Sequence, residues 1–147
     1  MTVRELTDTF YLAFTVWREA RGESLAARIG VAYSILNRVD RPKWWGSTIS
    51  EVVTKRWQYS SLTDPKDPQL ARAWPLPTDR TWQECIDIAT QTQVAALKNP
   101  VPGADSYHDT SIAPPYWTKD ARRVGQIGRI VFYDVDHDYQ VPGGHDA

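Results

Sequence analysis

A single cysteine, Cys85, is too few for an internal disulfide or a cysteine-based zinc site. It stands at an apolar position of an expected helix, so buried filler is its expected role, and a lone thiol fits a reducing compartment. Histidine is nearly as scarce. His108, His137 and His145 are the only three, two of them fall in a polar C-terminal stretch, and HExxH is absent. A zinc centre built on histidines has little to draw on, and no metal or other cofactor is expected. Charge of one sign is also lacking. With 17 basic and 18 acidic residues the net charge is -1, without the basic surplus of a nucleic-acid binder. No apolar run is long enough to cross a membrane, so membrane insertion is not expected. The opening MTVRELTDTFYLAF sets Arg4, Glu5 and Asp8 where a signal peptide needs an unbroken apolar stretch. The expectation is a cytoplasmic protein that something else must release if its target lies outside.

Phenylalanine is rare, at three, but Trp and Tyr number seven each. Such rings pair an apolar body with a polar handle, which suits a groove that stacks on sugars and equally an ordinary core. The 147 residues fit one domain with one core, and a monomer is expected. Residues 7–21 read as a helix with Leu12 and Trp17 on its apolar stripe, Thr7 or Asp8 as cap and Gly22 as stop. Ser24 caps a second helix, LAARIGVAYSILNRV. Its Ile29, Ala32, Tyr33, Leu36 and Val39 recur at helical spacing and mark it as the central core helix. Pro42 ends it. Thr48 with Glu51 forms a capping-box pattern for a short helix, TISEVVTKR, and residues 60–78 read as a long loop. Thr81 with Glu84 gives a second box, opening a helix from Trp82 to Lys98 that Asn99-Pro100 and Pro102-Gly103 stop.

Beyond this the pattern changes. ADSYHD and GRIVFYDV alternate and are expected to pair as a small antiparallel hairpin. The loop between them carries Pro114, Pro115, Tyr116 and Trp117, and residues 136–147 form a polar tail. The expected fold class is mainly α, a single domain over residues 1–135 with a small antiparallel β-hairpin, followed by that tail.

The sharpest local feature is W-R-E-A-R-G-E, residues 17–23. Glu19 falls in the last turn of the first helix and Glu23 just past the Gly22 break. The negative end of the helix dipole, a second carboxylate and partial burial all disfavour ionisation, so one of the two is expected to have a raised pKa. That keeps a carboxyl protonated near neutral pH, as a general acid requires. The competing reading is a set of weak surface pairs with Arg18 and Arg21. Glycosidic cleavage often uses two carboxyl groups, and spacing alone leaves Asp64, Asp105 and Asp109 equally open as partners. W-Q-Y-S-S, residues 57–61, offers an amide and two hydroxyls framed by aromatics, able to bond sugar hydroxyls and N-acetyl groups or simply to end a helix. In S-Y-H-D, residues 106–109, His108 could act as a base, a metal ligand or half of a surface pair with Asp109. The surface pair is the favoured reading.

W-R-E-A-R-G-E-S followed by G-V-A-Y-S-I-L-N-R-V resembles the signature of the SleB-like cell wall hydrolases, a family of spore-cortex-lytic enzymes and related phage and bacterial proteins. The weaker pieces follow in order: Gln58-Tyr59-Ser60, Tyr107-His108, Trp117 and Phe132-Tyr133. The resemblance spans roughly residues 7–135. It implies a lysozyme-like, lytic-transglycosylase-like helical domain with a small β element and a groove between them. It also implies peptidoglycan glycan strands as partner, cleaved at the β-1,4 bond between N-acetylmuramic acid and N-acetylglucosamine. Glu19 then matches the family's catalytic acid, and Glu23 shapes or polarises the site. Gln58, Tyr59, Ser60, Tyr107, His108 and Trp117 are the expected substrate-binding residues. A lytic transglycosylase needs only one carboxyl, which fits a motif with one clear acid. A phage endolysin, passing from host cytoplasm to periplasm, would fit the N-terminus. Three other activities stay open: a hydrolytic muramidase in the same groove, an amidase that frees the stem peptide, and a binding module without chemistry. Arg18 is bulky where the motif often has a small residue, and R-P-K-W-W-G-S and residues 62–78 have no counterpart in the pattern.

Overall fold

Thr2 and Glu5 start the first helix. The Thr2 hydroxyl accepts from Glu5 N and the Glu5 carboxylate accepts from Thr2 N, a complete capping box that opens α1, Val3–Ala20. The helix therefore begins four residues before the expected position 7. Asp8 is not its cap but ties it to the third helix, accepting from the Ser50 backbone N–H and hydroxyl. Leu12, Ala13, Phe14, Val16, Trp17 and Ala20 bury one face. The helix ends as expected before Gly22, though not through a left-handed glycine: Arg21 is αR, and Glu23 N returns to Ala20 O at 2.9 Å. The computed structural model describes residues 2–55, 58, 59, 62, 66 and 74–136. Most of the expected loop 60–78 and all of the expected tail except Asp136 lie outside the described residues.

Ser24 caps α2, Leu25–Asp40, by accepting from Ala27 N at 3.2 Å. From Ala27 to Arg38 most of its positions are buried, because α1, two later helices and the sheet all pack on it. It is the central helix that its composition predicts. Gly30 is what lets the sheet approach: a Cβ there would stand 2.7 Å from Phe132 Cζ. Thr48 caps α3, but this helix stops at Val53 (Ile49–Val53), short of the expected Arg56. Glu51 there accepts from the Thr48 hydroxyl rather than the cap N–H, so the box is only half formed.

The fourth helix, α4, runs Arg80–Gln93 and corrects the expected boundaries at both ends. Its cap is Asp79, which accepts from Thr81 N and Trp82 N. Glu84 is drawn away from any capping role to the buried Arg28, at 2.8 Å. The chain leaves the helix five residues before Lys98, through Ala95 at φ 54. Cys85 packs in the core, fully buried, and burial pushes its thiol up to about 11.

Three strands follow: β1, Ser106–Asp109, β2, Arg122–Ile127, and β3, Ile130–Asp134. The expected pairing of β1 with β3 is present, antiparallel, with Tyr107 opposite Phe132. The expected two-stranded element is nevertheless a three-stranded sheet of order β1-β3-β2. The strand missed was β2, which is largely exposed and carries no alternating apolar signal. It covers the second edge of β3, whose five residues are all buried. Gly128, at φ 57, sits first in the two-residue turn joining β2 to β3, where a II′ turn calls for glycine. A short 3₁₀ helix, Tyr116–Lys119, lies between β1 and β2. No described helix is long and apolar enough to cross a membrane.

Candidate active site

Two polar residues of α2 fix the strand that faces the site. Asn37 donates to the carbonyls of Val101 (3.0 Å) and Ala104 (2.8 Å), and Arg38 Nε donates to the carbonyl of Asp105 at 2.7 Å. These bonds tie the segment entering β1 to the central helix, which explains why the apolar stripe of α2 ends in Asn-Arg. Asp105 extends the arrangement. Its carboxylate accepts from the backbone N–H groups of Val135 and Asp136, anchoring the chain as it leaves β3. Burial raises the Asp105 pKa, while those two backbone bonds and one from Ser106 oppose the shift.

The result is a cleft of about 580 Å³ between the helices and the sheet. Glu19 at the end of α1 and Arg38 of α2 line it, together with Trp44, Gln58 and Tyr59. Ser106 and Tyr107 of β1, Tyr116 and Trp117 of the 3₁₀ helix, and Val135 with Asp136 complete the lining. Tyr107 donates its hydroxyl to Glu19 Oε1 at 3.0 Å. Burial holds the Tyr107 phenol well above its ordinary range, and the Glu19 carboxylate pushes the same way, so the group stays a donor. Tyr59 is also raised by burial; Arg38 opposes the shift, and Glu19 and Asp105 add to it. Arg38 is only 6% exposed and sits among aromatic faces, 5.0 Å from the Trp45 ring centre and 5.6 Å from that of Tyr59.

Of the residues singled out in the sequence, Glu19, Gln58, Tyr59, Tyr107 and Trp117 come together in this cleft. Glu23 is not part of its lining. Its carboxylate takes a 2.7 Å ion pair from Arg129 in the β2–β3 turn. The expected crowding of two acids at the helix end is thus replaced by an acid–base pair for one of them. His108 is not in the lining either, nor in a surface pair with Asp109. Successive strand residues face opposite ways. Tyr107 turns to the core side against Phe132, and His108 turns away, buried, with Nε2 3.1 Å from the Tyr133 hydroxyl and its ring stacked on Tyr133. It supports Trp117, which stands edge-on to both rings. Ser60 and Asp64 lie outside the described residues. Arg18 lies over Phe14 at 4.6 Å and Trp74 at 5.1 Å, which accounts for a bulky side chain next to Glu19.

Sequence reasoning missed Arg38, Trp44, Ser106, Tyr116, Val135 and Asp136 as cleft residues. The one available signal was a buried-type helix carrying an arginine at its apolar end. Among the described residues, no group of three His, Cys, Asp or Glu side chains is placed to hold a metal ion.

Comparison with known proteins agrees with this architecture. A family model described as cell wall hydrolase matches residues 22–133. The match takes in most of the cleft and starts just after Glu19. Among solved structures, the chain is similar to the catalytic domain of the germination-specific lytic transglycosylase SleB from Bacillus anthracis. The two share 24% identity with a TM-score of 0.65, over 86% of this chain and 93% of that one. The catalytic domain of the Bacillus cereus SleB protein gives 23% identity and a TM-score of 0.64, over 87% and 90%. These likenesses identify the fold as lysozyme-like and mainly helical. No curated protein matches the chain.

Proposed function

Because the chain belongs to the cell wall hydrolase family, we propose that it cuts peptidoglycan strands at the β-1,4 bond between N-acetylmuramic acid and N-acetylglucosamine, as a lytic transglycosylase with Glu19 as its acid and base. The observation that carries this reading is the placement of Glu19: a half-buried carboxyl at a helix end, lining a cleft with aromatic walls, with Tyr107 bonded to one of its oxygens. One carboxyl is enough for the reaction. Glu19 gives its proton to the leaving glycosidic oxygen as the bond to the anomeric carbon breaks. The resulting carboxylate takes the proton of the muramoyl 6-hydroxyl, whose oxygen bonds to that carbon and closes a 1,6-anhydro ring. No water is consumed and the acid is regenerated.

Each side chain has a part. Tyr107 fixes the direction of the Glu19 carboxyl through its bond to Oε1. Trp117 and Tyr116 offer faces on which sugar rings can lie, as aromatic walls do in carbohydrate grooves. Proton transfer by a positioned acid accounts for about 10²–10⁴-fold in rate. Glu19→Gln should therefore cost at least that much in the clearing of purified cell walls, with an unchanged melting curve. A variant that keeps most of its activity would remove Glu19 from the mechanism.

A specific observation supports a second reading. Asp136 lines the same cleft and accepts from Trp44 Nε1 at 3.2 Å. A second carboxylate is what a water-consuming muramidase uses as base or nucleophile. Asp136→Asn separates the two readings: it should leave a transglycosylase active and stop a hydrolase.

A further inference from the structure

Arg38 decides which atom Gln58 can offer to the cleft. The guanidinium is held from behind, by the bond from Nε to the Asp105 carbonyl, and flanked by the rings of Trp45 and Tyr59. Its Nη1 donates to Gln58 Oε1 at 3.2 Å. A guanidinium has five N–H groups and no acceptor. Only the oxygen of an amide can therefore face it. Turning the Gln58 amide over would set NH₂ against N–H at a half-buried contact, leaving neither with an acceptor there. The Arg38 bond thus sets the polarity of Gln58: its oxygen is turned to the guanidinium, and its NH₂ is the group left to offer a ligand in the cleft that it lines.

We propose that Arg38 is a positioning residue that makes Gln58 an obligate hydrogen-bond donor, and that this donor reads the carbonyl oxygen of an N-acyl group on an amino sugar in the cleft. The inference rests on the proposed function only for the class of polymer. Sugar hydroxyls both donate and accept, so a fixed donor cannot tell one from another. An acetamido carbonyl only accepts. The ammonium left when the acyl group is removed only donates, and it would meet Gln58 donor to donor. Specificity then comes from a built-in clash with the wrong group as well as a bond to the right one. Strands whose amino sugars have lost their acyl groups should be poor ligands.

Binding tests this without turnover. The probes are an N-acetylglucosamine oligomer and a glucosamine oligomer of equal length, titrated calorimetrically into the whole protein. Wild-type protein should prefer the acetylated oligomer by about tenfold or more, the effect of one well-placed hydrogen bond to a neutral group. Gln58→Glu keeps the shape and gives Arg38 a carboxylate, so the fold survives, but it replaces the donor with an acceptor. The preference should shrink below twofold or invert. Gln58→Met removes the donor without adding charge, and should weaken only the acetylated oligomer. Arg38→Lys keeps the cation but loses the fork, and should reduce the preference with Gln58 still present. A purely structural Arg38 would lower Tm and leave the preference intact. Equal weakening of both oligomers in the Gln58 variants, or no preference in the wild type, would overturn the proposal. Preference for acetylated oligomers in a protein that does not cut peptidoglycan would uphold it while sinking the proposed function.

Discussion

The Tyr107 hydroxyl donates to Glu19 Oε1 across 3.0 Å, joining the second residue of β1 to the penultimate residue of α1, 88 positions apart in the chain. The two belong to opposite halves of the fold, so this bond exists only when helix and sheet are docked. It also gives Glu19 a fixed direction at the cleft wall.

Removing that donor tests the pairing. Tyr107→Phe keeps the ring against Phe132 and deletes one hydrogen bond to a carboxylate, worth about 1.5–3 kcal/mol when the acceptor is charged. The lost donor had favoured the ionised acid. The alkaline limb of the pH–rate profile should therefore move to higher pH, while kcat falls through lost orientation. Because burial holds the Tyr107 phenol well above its usual range, its own titration should leave no inflection below pH 10 in the wild-type profile. A profile that is the same in both proteins would remove the bond from the mechanism.

Glu23 offers a contrast. Its partner is Arg129, and that pair is partly solvent-screened on the arginine side. Glu23→Gln should cost no more than about 1 kcal/mol of stability, as exposed pairs do. It should also leave wall-clearing activity within about tenfold of wild type, a loss smaller than the ~10²–10⁴-fold assigned to a positioned acid. A deficit as deep as that of Glu19→Gln would bring Glu23 into the chemistry.

Trp117 lines the cleft while resting edge-on against Tyr133 at 5.3 Å and His108 at 6.2 Å. Trp117→Ala should raise KM for soluble glycan fragments by about tenfold, close to the ~1.4 kcal/mol that such a factor represents. It should lower Tm by only a few degrees. A collapsed unfolding transition with an unchanged KM would mark the ring as core.

Gly30 is where α2 meets the sheet. A methyl group there would press on Phe132 Cζ at 2.7 Å and on Ile127 Cδ1 at 3.2 Å, and Phe132 is fully buried. Gly30→Ala gains helix propensity but overpacks, and should destabilise by about 1–3 kcal/mol. At this size each kcal/mol lowers Tm by about 2–4 °C. A variant as stable as wild type would show that the sheet can move off the helix.

The parts of this molecule that could be read from the sequence were those set by short-range chemistry. The Ser24 cap, the buried run of α2 and the stop before Gly22 depend on residues within a turn or two of one another. Glu19 stood out because two carboxylates fall together at a helix end, within a motif that resembles a known family's. What escaped were relationships across the fold. The bond from Arg38 to the Asp105 carbonyl spans 67 positions, and the pairing of Glu23 with Arg129 spans 106. Neither has a local signal. Strand alternation decided between Tyr107 and His108, and it could be applied only once the sheet was seen to pack one face on α2. The β2 strand was hidden by its own exposure, since a mostly solvated edge needs no apolar rhythm.

Closure of a 1,6-anhydro ring by Glu19 is the step on which the proposed function turns. It is tested most directly by mass spectrometry of the muropeptides released from purified peptidoglycan, with Glu19→Gln as control. Muramic acid ends lighter than their hydrated counterparts by one water are expected with the wild-type protein and not with the variant. Reducing muramic acid ends would contradict the ring closure and turn the same cleft into a hydrolase. Intact glycans with freed stem peptides would contradict the role of Glu19 altogether.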